Sequence, residues 1–211
     1  MPLKITVPYN QKDNAKLKGA FWDNVEKTWF IPNHKKLDDF NEWMDTEKFS
    51  MIAKAPFYIG INKKHCWKCF EPTTVVALAS NHFYIFDYPD DEDVKSWIKQ
   101  DYFSFFNMPG YIEDEVAQLI QSKYPFYKLG FSKTVNGKYW ANHCERCNAL
   151  QGDFFMHEEP GGEFYPVEIE ECKKIILKEV PYKFDLKIDA STSWSSNESQ
   201  IWRFSQKKSW E

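Results

Sequence analysis

Two Cys-x-x-Cys pairs constrain the fold of this 211-residue chain more than any other feature: Cys66 with Cys69, and Cys144 with Cys147. Two sulfurs separated by two residues can reach one metal ion from a single tight turn. Two such turns, here called knuckles, complete the tetrahedral thiolate set that structural zinc prefers. The pattern therefore predicts one structural Zn²⁺ held by these four cysteines, rather than disulfide bonds.

The distance between the knuckles along the chain is unusual, because 74 residues separate Cys69 from Cys144. Pairs in a zinc ribbon usually lie ~15–20 residues apart. Since residues 90–123 carry a helical pattern, we expect a helical insertion within the ribbon. His65 and His143 adjoin the first cysteine of each pair; we expect both to point away from the metal, although either could replace a cysteine ligand. Cys172 is expected to be a buried apolar residue on a helix.

The chain as a whole is predicted to be an α+β protein in three parts. Residues 1–46 form a small β-α-β-α module, and residues 55–190 form the zinc-ribbon domain with its helical insertion. Residues 191–211 form a C-terminal tail rich in serine that contains Trp194, Trp202 and Trp210. This tail is either a docking segment or a strand laid on the body of the protein.

Local patterns place the individual elements. In the N-terminal module, Asn10 is expected to cap a helix that ends at Gly19, because glycine is favoured just past a helix end. A strand follows at 28–31, and apolar residues at helical spacing predict a second helix over 37–44. Further along we expect strands at 57–61, 73–78, 83–86 and 183–188, helices at 90–99, 113–124 and 168–178, and a hairpin over 127–142 around Asn136-Gly137.

Two stretches resemble known families. The first is Lys12-Asp13-x-Ala15-Lys16-x-x-Gly19-Ala20-x-Trp22-Asp23-x-x-x-Lys27-x-Trp29. It resembles a small uncharacterised bacterial domain found beside primase-like and conjugation enzymes of mobile elements. The resemblance covers the N-terminal fifth of the chain and implies a module, without an activity.

The second stretch is Tyr139-Trp140-Ala141-Asn142-His143-Cys144-x-x-Cys147-x-Ala149-Leu150-Gln151-Gly152-Asp153-Phe154-Phe155-x-His157-Glu158-Glu159-Pro160-Gly161-Gly162. Together with the upstream Cys-x-x-Cys before Val75-Val76-Ala77-Leu78, it resembles uncharacterised bacterial zinc-ribbon proteins over residues 65–165. This resemblance implies a single ribbon built from both knuckles, and it implies no reaction.

The sequence gives little sign of catalysis. Asp153, His157 and Glu158 are the candidate catalytic residues of a hydrolase, because a histidine near carboxylates can do acid–base work. However, a four-cysteine zinc is coordinatively closed and cannot activate water. Motifs typical of metalloproteases, zinc deaminases and α/β-hydrolases are absent from the sequence. We therefore expect a protein that is not an enzyme.

Recognition remains as the expected role. The aromatic share is 18%, and the net charge of −4 combines basic knuckle segments with acidic stretches at 87–115 and 153–171. Aromatic rings and charges of both signs, on a fold that a metal ion makes rigid, fit a protein partner best. Such a protein would be an adaptor or would neutralise a toxin. The alternative is a nucleic-acid-binding accessory protein of a mobile element. Its expected contacts, which a protein partner could also use, are Lys123, Lys128, Lys133, Lys138, Tyr139, Trp140 and Arg146.

The expected location is the cytoplasm. The N-terminus lacks a basic region followed by an apolar stretch and a cleavage site, as a signal peptide would have. No run of residues approaches the ~18 apolar residues of a membrane helix, so we expect no membrane contact.

Overall fold

The computed structural model describes residues 2–90, 92–193 and 197–211, and it is a mixed α/β protein built mostly of strands. The strands in chain order are β1 (Leu3–Ile5), β2 (Phe21–Asp23), β3 (Thr28–Ile31), β4 (Met51–Ala53), β5 (Tyr58–His65), β6 (Pro72–Ser80), β7 (Phe83–Asp87), β8 (Ser96–Gln100), β9 (Ser104–Ile112), β10 (Tyr127–Ser132), β11 (Gly137–His143), β12 (Leu150–Gln151), β13 (Ile176–Glu179), β14 (Leu186–Thr192) and β15 (Gln206–Lys208). The α-helices are α1 (Lys12–Lys18), α2 (Asp114–Lys123), α3 (Asp153–His157), α4 (Ile169–Cys172) and α5 (Glu198–Phe204). Short 3-10 helices span Tyr9–Gln11 and Leu37–Trp43.

These strands form three sheets. The largest has nine strands in the order β15-β13-β5-β6-β9-β14-β4-β7-β8. A small sheet with the order β1-β3-β2 lies in the N-terminal module, and another with the order β10-β11-β12 carries the second knuckle. Neighbouring strands pair antiparallel except β13 and β15, which run parallel. No helix in the described residues is long and apolar enough to cross a membrane.

The nine-stranded sheet is buried on both faces at its centre. Along β6, Val76 and Leu78 join the core that also contains residues of α2. The alternate residues Val75, Ala77 and Ala79 face a second core, which contains Cys172. Successive side chains of a strand point to opposite faces. The continuous apolar run of β6 is therefore the pattern of a strand covered on both sides.

The N-terminal module contains more strand than predicted. Thr28–Ile31 forms a strand as expected, and Gly19 ends α1 with a left-handed φ of 98°. The helix begins at Lys12 with Gln11 as its N-cap, so the expected cap at Asn10 is wrong. Strand β2 was not predicted, and the second helix is a 3-10 helix.

The module shares a core with the large sheet. Its apolar residues cluster with Phe49, Ile52 and Trp97, which lie beyond residue 46. The rings of Phe30 and Phe184 stack with their centroids 5.0 Å apart. Residues 1–46 therefore pack directly against the edge of the nine-stranded sheet in this structure.

The predicted helical insertion is not confirmed. Between the knuckles the structure has strands β6 to β11, and α2 is the only α-helix there among the described residues. The predicted helix at 90–99 is wrong, because Ser96–Gln100 is a strand that pairs with β7. Strand β9 was missed because its two faces contact different cores, Phe105 one and Phe106 the other, so its side chains show no alternation of apolar and polar residues.

The C-terminal half also differs from the secondary structure predicted from the sequence. The predicted helix at 168–178 ends at Cys172, and Ile176–Glu179 instead pairs with β5 as a strand. Of the tail, β15 lies beside β13, and the Trp202 ring packs 5.2 Å from that of Tyr58. The Trp210 ring contacts Tyr124. Trp194 lies outside the described residues.

Candidate metal centre

The hairpin of β5 and β6 presents the first knuckle at its tip. The backbone N–H of Cys66 donates to the carbonyl of Glu71 at 2.9 Å, and the N–H of Phe70 donates to the carbonyl of Cys66 at 2.9 Å. Phe70 has a φ of 61°, in the left-handed region. These two hydrogen bonds close residues 66–71 into a tight turn that contains both cysteines.

The second knuckle, between β11 and β12, repeats this geometry. The N–H of Cys144 donates to the carbonyl of Ala149 at 2.8 Å, and the N–H of Asn148 donates to the carbonyl of Cys144 at 2.9 Å. Asn148, with a φ of 57°, occupies the position of Phe70. The two knuckles are therefore copies of one turn, carried by different sheets.

The structure brings the four cysteine sulfurs together. They all lie within 4.8 Å of one another. The Sγ atoms of Cys66 and Cys147 are 3.6 Å apart, as are those of Cys69 and Cys144. In a tetrahedron with Zn–S bonds of ~2.3 Å, neighbouring sulfurs lie about 3.8 Å apart. The cluster therefore has the size of a four-thiolate metal site, and it could hold a metal ion.

Hydrogen bonds to sulfur favour thiolates in this cluster. The N–H of Lys68 and the side-chain amide of Gln151 each donate to the Sγ of Cys66 at 3.4 Å. Burial opposes ionisation of Cys66, but backbone N–H groups and the neighbouring thiols outweigh it and lower its pKa to about 6. The N–H of Cys147 is the largest cause of the lowered pKa of Cys144.

Cys69 behaves differently. Although the N–H of Glu71 favours its thiolate, burial and the three neighbouring sulfurs raise the pKa of Cys69 to about 12. Thiolates packed this closely repel one another, so they do not all ionise unless a cation lies between them. A bound metal ion would remove that repulsion, because a coordinating thiol is deprotonated outright.

Both histidines beside the knuckles have partners away from the sulfurs. The Nδ1 of His65 lies 2.9 Å from the carbonyl of Phe70. The buried ring of His143 lies beside the carbonyls of Ala141 and Phe126, and burial lowers its pKa. Among the described residues, neither histidine belongs to the group that could hold a metal.

Hydrogen bonds and an ion pair connect the two knuckle regions. The buried side chain of Asn142 pairs with the backbone of Val76, accepting from its N–H at 2.8 Å and donating to its carbonyl at 2.9 Å. The carboxylate of Glu145 accepts the N–H of Thr74 at 2.7 Å. Arg146 pairs with Glu71. Residues separated by more than 65 positions are therefore fixed together around the sulfurs.

The seven expected partner contacts differ in their exposure and in their hydrogen-bond partners. Tyr139 is buried, and Trp140 packs against the core. Lys123 donates to the carbonyl of Trp210, and Lys128 donates to Asn148. The remaining three are exposed: Arg146, which is paired with Glu71, and Lys133 and Lys138.

The three candidate catalytic residues lie in and beside α3. Asp153 is buried and accepts the N–H of Met108 at 2.7 Å, and burial raises its pKa to about 7. His157 is buried against Ser193, whose Oγ lies 2.9 Å from its Nδ1, and burial lowers its pKa to about 3. Glu158 is exposed. The three side chains therefore do not present a shared open site.

Exposed rings near the cluster were missed by the sequence reasoning. Trp67 is 64% exposed and Phe70 is 77% exposed, and both belong to the first knuckle. The Trp67 indole N–H donates to the carbonyl of Leu150, which fixes this side chain beside the second knuckle. Their position within or next to a Cys-x-x-Cys turn was the available signal.

Fold and site together define a mixed α/β protein, mostly of strands, with a four-cysteine cluster compatible with metal binding. Residues 3–45 match a family model described as "Domain of unknown function (DUF5710)". The chain is also 41% identical over 39 residues to the DNA primase TraC of Escherichia coli, a match that covers 18% of this chain and 3% of the primase.

No solved structure matches the chain. The family match and the primase match support the expectation that the N-terminal domain resembles one found near primase and conjugation proteins. The resemblance of residues 65–165 to zinc-ribbon proteins gains no support from the comparisons and stays a prediction.

Proposed function

We propose that the four cysteines hold one structural Zn²⁺ and that the chain is a non-catalytic recognition protein whose partner is another protein. The donor set supports zinc, since four sulfurs at tetrahedral spacing suit this ion and leave it no open position. The ion would hold the two knuckles together and would supply no other chemistry, because a closed site cannot bind water or substrate. An adaptor and a toxin-neutralising protein both fit this description.

The lack of catalysis is supported by the surroundings of the polar residues. Asp153 and His157 are both buried, so a substrate would have no access to them in this fold. The Sγ of Cys66 accepts from the N–H of Lys68 and from Gln151, and the nearby carboxylates of Glu145 and Glu71 are engaged by the N–H of Thr74 and by Arg146. These features stabilise a fold rather than a transition state.

Phe70 is the observation that carries the proposal of a protein partner. Its ring is exposed, and its backbone is held in the left-handed region. Exposing an aromatic ring to water and holding a phenylalanine in the left-handed region both cost free energy when no partner is bound. The turn itself does not need an aromatic side chain, because the equivalent residue in the second knuckle is Asn148. A ring that is costly to display at a rigid turn is typical of a contact residue.

The test is capture of partners from a lysate of the source cells, with the zinc-loaded chain as bait, both with and without nuclease. Phe70→Asn copies the second knuckle, and Tyr9→Ser removes an exposed ring in the N-terminal module as the matched control. We expect a protein that is captured by the parent and by Tyr9→Ser, and lost with Phe70→Asn. Capture that is indifferent to Phe70, or that disappears with nuclease, would contradict the proposal.

Nucleic-acid binding is the second candidate, favoured by charge. Residues 116–144 contain four lysines and no acid, and Lys133 and Lys138 are exposed. The test is titration with labelled single- and double-stranded DNA and RNA at low and physiological salt. Micromolar binding that survives physiological salt, with a salt slope that falls by about one unit for each lysine neutralised, would favour this candidate. Binding seen only at low salt would not.

A further inference from the structure

Strand β10 has an open edge. It pairs with β11 on one side, and the sheet order places no strand on its other side among the described residues. Unpaired strand edges offer rows of N–H and C=O groups to any extended segment that can reach them. Proteins usually protect such edges, so an unprotected one suggests a use.

Three other strands that lie at the edge of a sheet, β8, β12 and β15, are protected. On β8, the backbone N–H of Trp97 already donates to Asp38 of the N-terminal module at 2.9 Å. On β12, the carbonyl of Leu150 accepts the indole N–H of Trp67. Strand β15 has only three residues, two of them lysines, which discourages pairing. Strand β10 has six residues, and Lys128 is the one lysine among them.

The register of the hairpin decides which backbone groups face outward. The N–H of His143 donates to the carbonyl of Phe126, and Lys128 lies opposite Ala141. Hydrogen-bonded pairs alternate along an antiparallel ladder, so Lys128 and Gly130 direct their backbone groups toward β11. Leu129 and Phe131 therefore direct their N–H and C=O groups outward, away from the sheet.

The same two residues expose apolar side chains. Leu129 is 49% exposed and Phe131 is 54% exposed. They share a face with Lys138, which lies directly opposite Phe131. On the other face, a Cβ at Gly130 would lie 2.9 Å from the His143 ring, so side chains of the same sheet already cover that position. Apolar contacts and backbone pairing are thus available together along one edge.

Charge indicates the kind of segment that would bind. Lys133 and Lys138 are exposed at the turn end of the hairpin, and no acid occurs between Glu115 and Glu145. We propose that the edge of β10 binds an extended segment of the partner protein as an added strand, with apolar residues over Leu129 and Phe131 and acidic residues near Lys138. This inference rests on the proposed function, because it specifies how a protein partner is held.

The probe is a phage-displayed library of random linear peptides, selected on the zinc-loaded full chain. We expect the selected peptides to alternate apolar and acidic residues. Leu129→Ala and Leu129→Pro remove the same side chain, but only proline also removes an outward N–H, and it leaves the ladder to β11 intact. We expect Leu129→Pro to weaken peptide binding about tenfold more than Leu129→Ala, the value of one hydrogen bond.

Amide hydrogen exchange in the unmodified chain keeps the test decisive if the proline variant does not fold. Bound peptide should slow exchange at Leu129 and Phe131 and leave Lys128 and Gly130 unchanged. Equal losses in the two variants, unchanged exchange, selection of no peptide, or pairing of β10 with a second copy would each overturn the inference. If a partner protein is captured through Phe70 but ignores Leu129→Pro, the proposed function stands and the added strand is wrong.

Discussion

At the scale of single residues, the cysteine cluster separates side chains that look alike in sequence. Cys172 is as buried as Cys66, yet it packs in an apolar core and burial raises its pKa. Cys66 instead receives hydrogen bonds that favour its thiolate. The difference lies in the surrounding N–H donors, since a buried sulfur without them behaves as a small apolar group.

Metal content tests this distinction. Elemental analysis of the purified chain should find about one zinc per chain, because four thiolates complete one tetrahedron. Cys144→Ser should abolish stoichiometric zinc, since the hydroxyl is a much poorer ligand than the thiolate. Cys172→Ser is the matched control and should keep the metal. Full zinc in the Cys144→Ser protein would contradict the four-cysteine site.

Asp153 and His157 give opposite dependences of stability on pH. The raised pKa of Asp153, about 7, contributes stability at low pH that is lost as the pH rises from 3.8 through 7. The lowered pKa of His157, about 3, contributes stability at high pH that is lost as the pH falls from 6.5 through 3. Between pH 4 and 6.5 the two slopes oppose each other, each at about 1.4 kcal/mol per pH unit.

Asp153→Asn should leave the pH dependence of stability that is due to His157 unopposed. The free energy of unfolding of this variant, relative to the parent, should increase with pH between 4 and 6.5, as measured by denaturant titration. Glu159→Gln removes an exposed carboxylate after α3 and serves as the control, because Glu158, but not Glu159, contributes to the raised pKa of Asp153; this variant should keep the opposed slopes of the parent. The pH dependence of metal binding is common to all three proteins and cancels. Parallel curves for Asp153→Asn and the parent would show that Asp153 is ionised in the folded state.

At the scale of elements, the two knuckles show how one turn can be built from unlike sequences. Both close with the same pair of backbone hydrogen bonds and a left-handed fourth residue after the first cysteine. Asparagine tolerates that conformation better than phenylalanine, because its short polar side chain interacts locally. The first knuckle therefore carries more backbone strain than the second knuckle does.

Phe70→Asn should thus stabilise the protein or leave it unchanged. Relief of the left-handed phenylalanine favours the variant by up to about 1 kcal/mol, and little packing is lost from an exposed ring. Thermal unfolding of the zinc-loaded variant measures this effect. The reverse substitution, Asn148→Phe, should destabilise by a similar amount. A clear loss of stability in Phe70→Asn would mean that the ring packs on the fold instead of serving a partner.

At the scale of the whole molecule, the cysteine cluster joins two sheets that, among the described residues, share no strand pairing. The first knuckle belongs to the nine-stranded sheet, and the second belongs to the sheet of β10, β11 and β12. The pairing of Asn142 with Val76 and the ion pair of Arg146 with Glu71 add to that junction. A metal ion bound by the four cysteines, as proposed, would therefore contribute its binding free energy to holding the small sheet in place.

Chelation should release the small sheet first. After treatment with a strong chelator, amide exchange should accelerate at residues 62–74 and 127–151. Residues 3–53 should keep their protection, because their core lies at the opposite edge of the large sheet. The melting temperature should fall, and added zinc should restore it. If chelation leaves both exchange and melting unchanged, the metal does not contribute to this junction.

Local chemistry alone determined much of this protein. The Cys-x-x-Cys spacing selected the four residues that meet, Asn136-Gly137 located a hairpin, and the 3.6-residue period located α2. These signals are local, since each depends on a few neighbouring residues. Strands such as β6 were also predictable, because β-branched residues favour extended backbone.

Tertiary structure decided the rest. Strands β8 and β13 took the place of predicted helices, and β9 was missed, because partner strands and two separate cores determine their conformation. The burial of Tyr139 and the exposure of Phe70 likewise depend on packing across distant residues. A sequence pattern records which side chains are apolar, but only the assembled sheets determine which of them are covered. That is the physical reason why the cysteine cluster followed from the sequence, whereas the exposed surface around it required the fold.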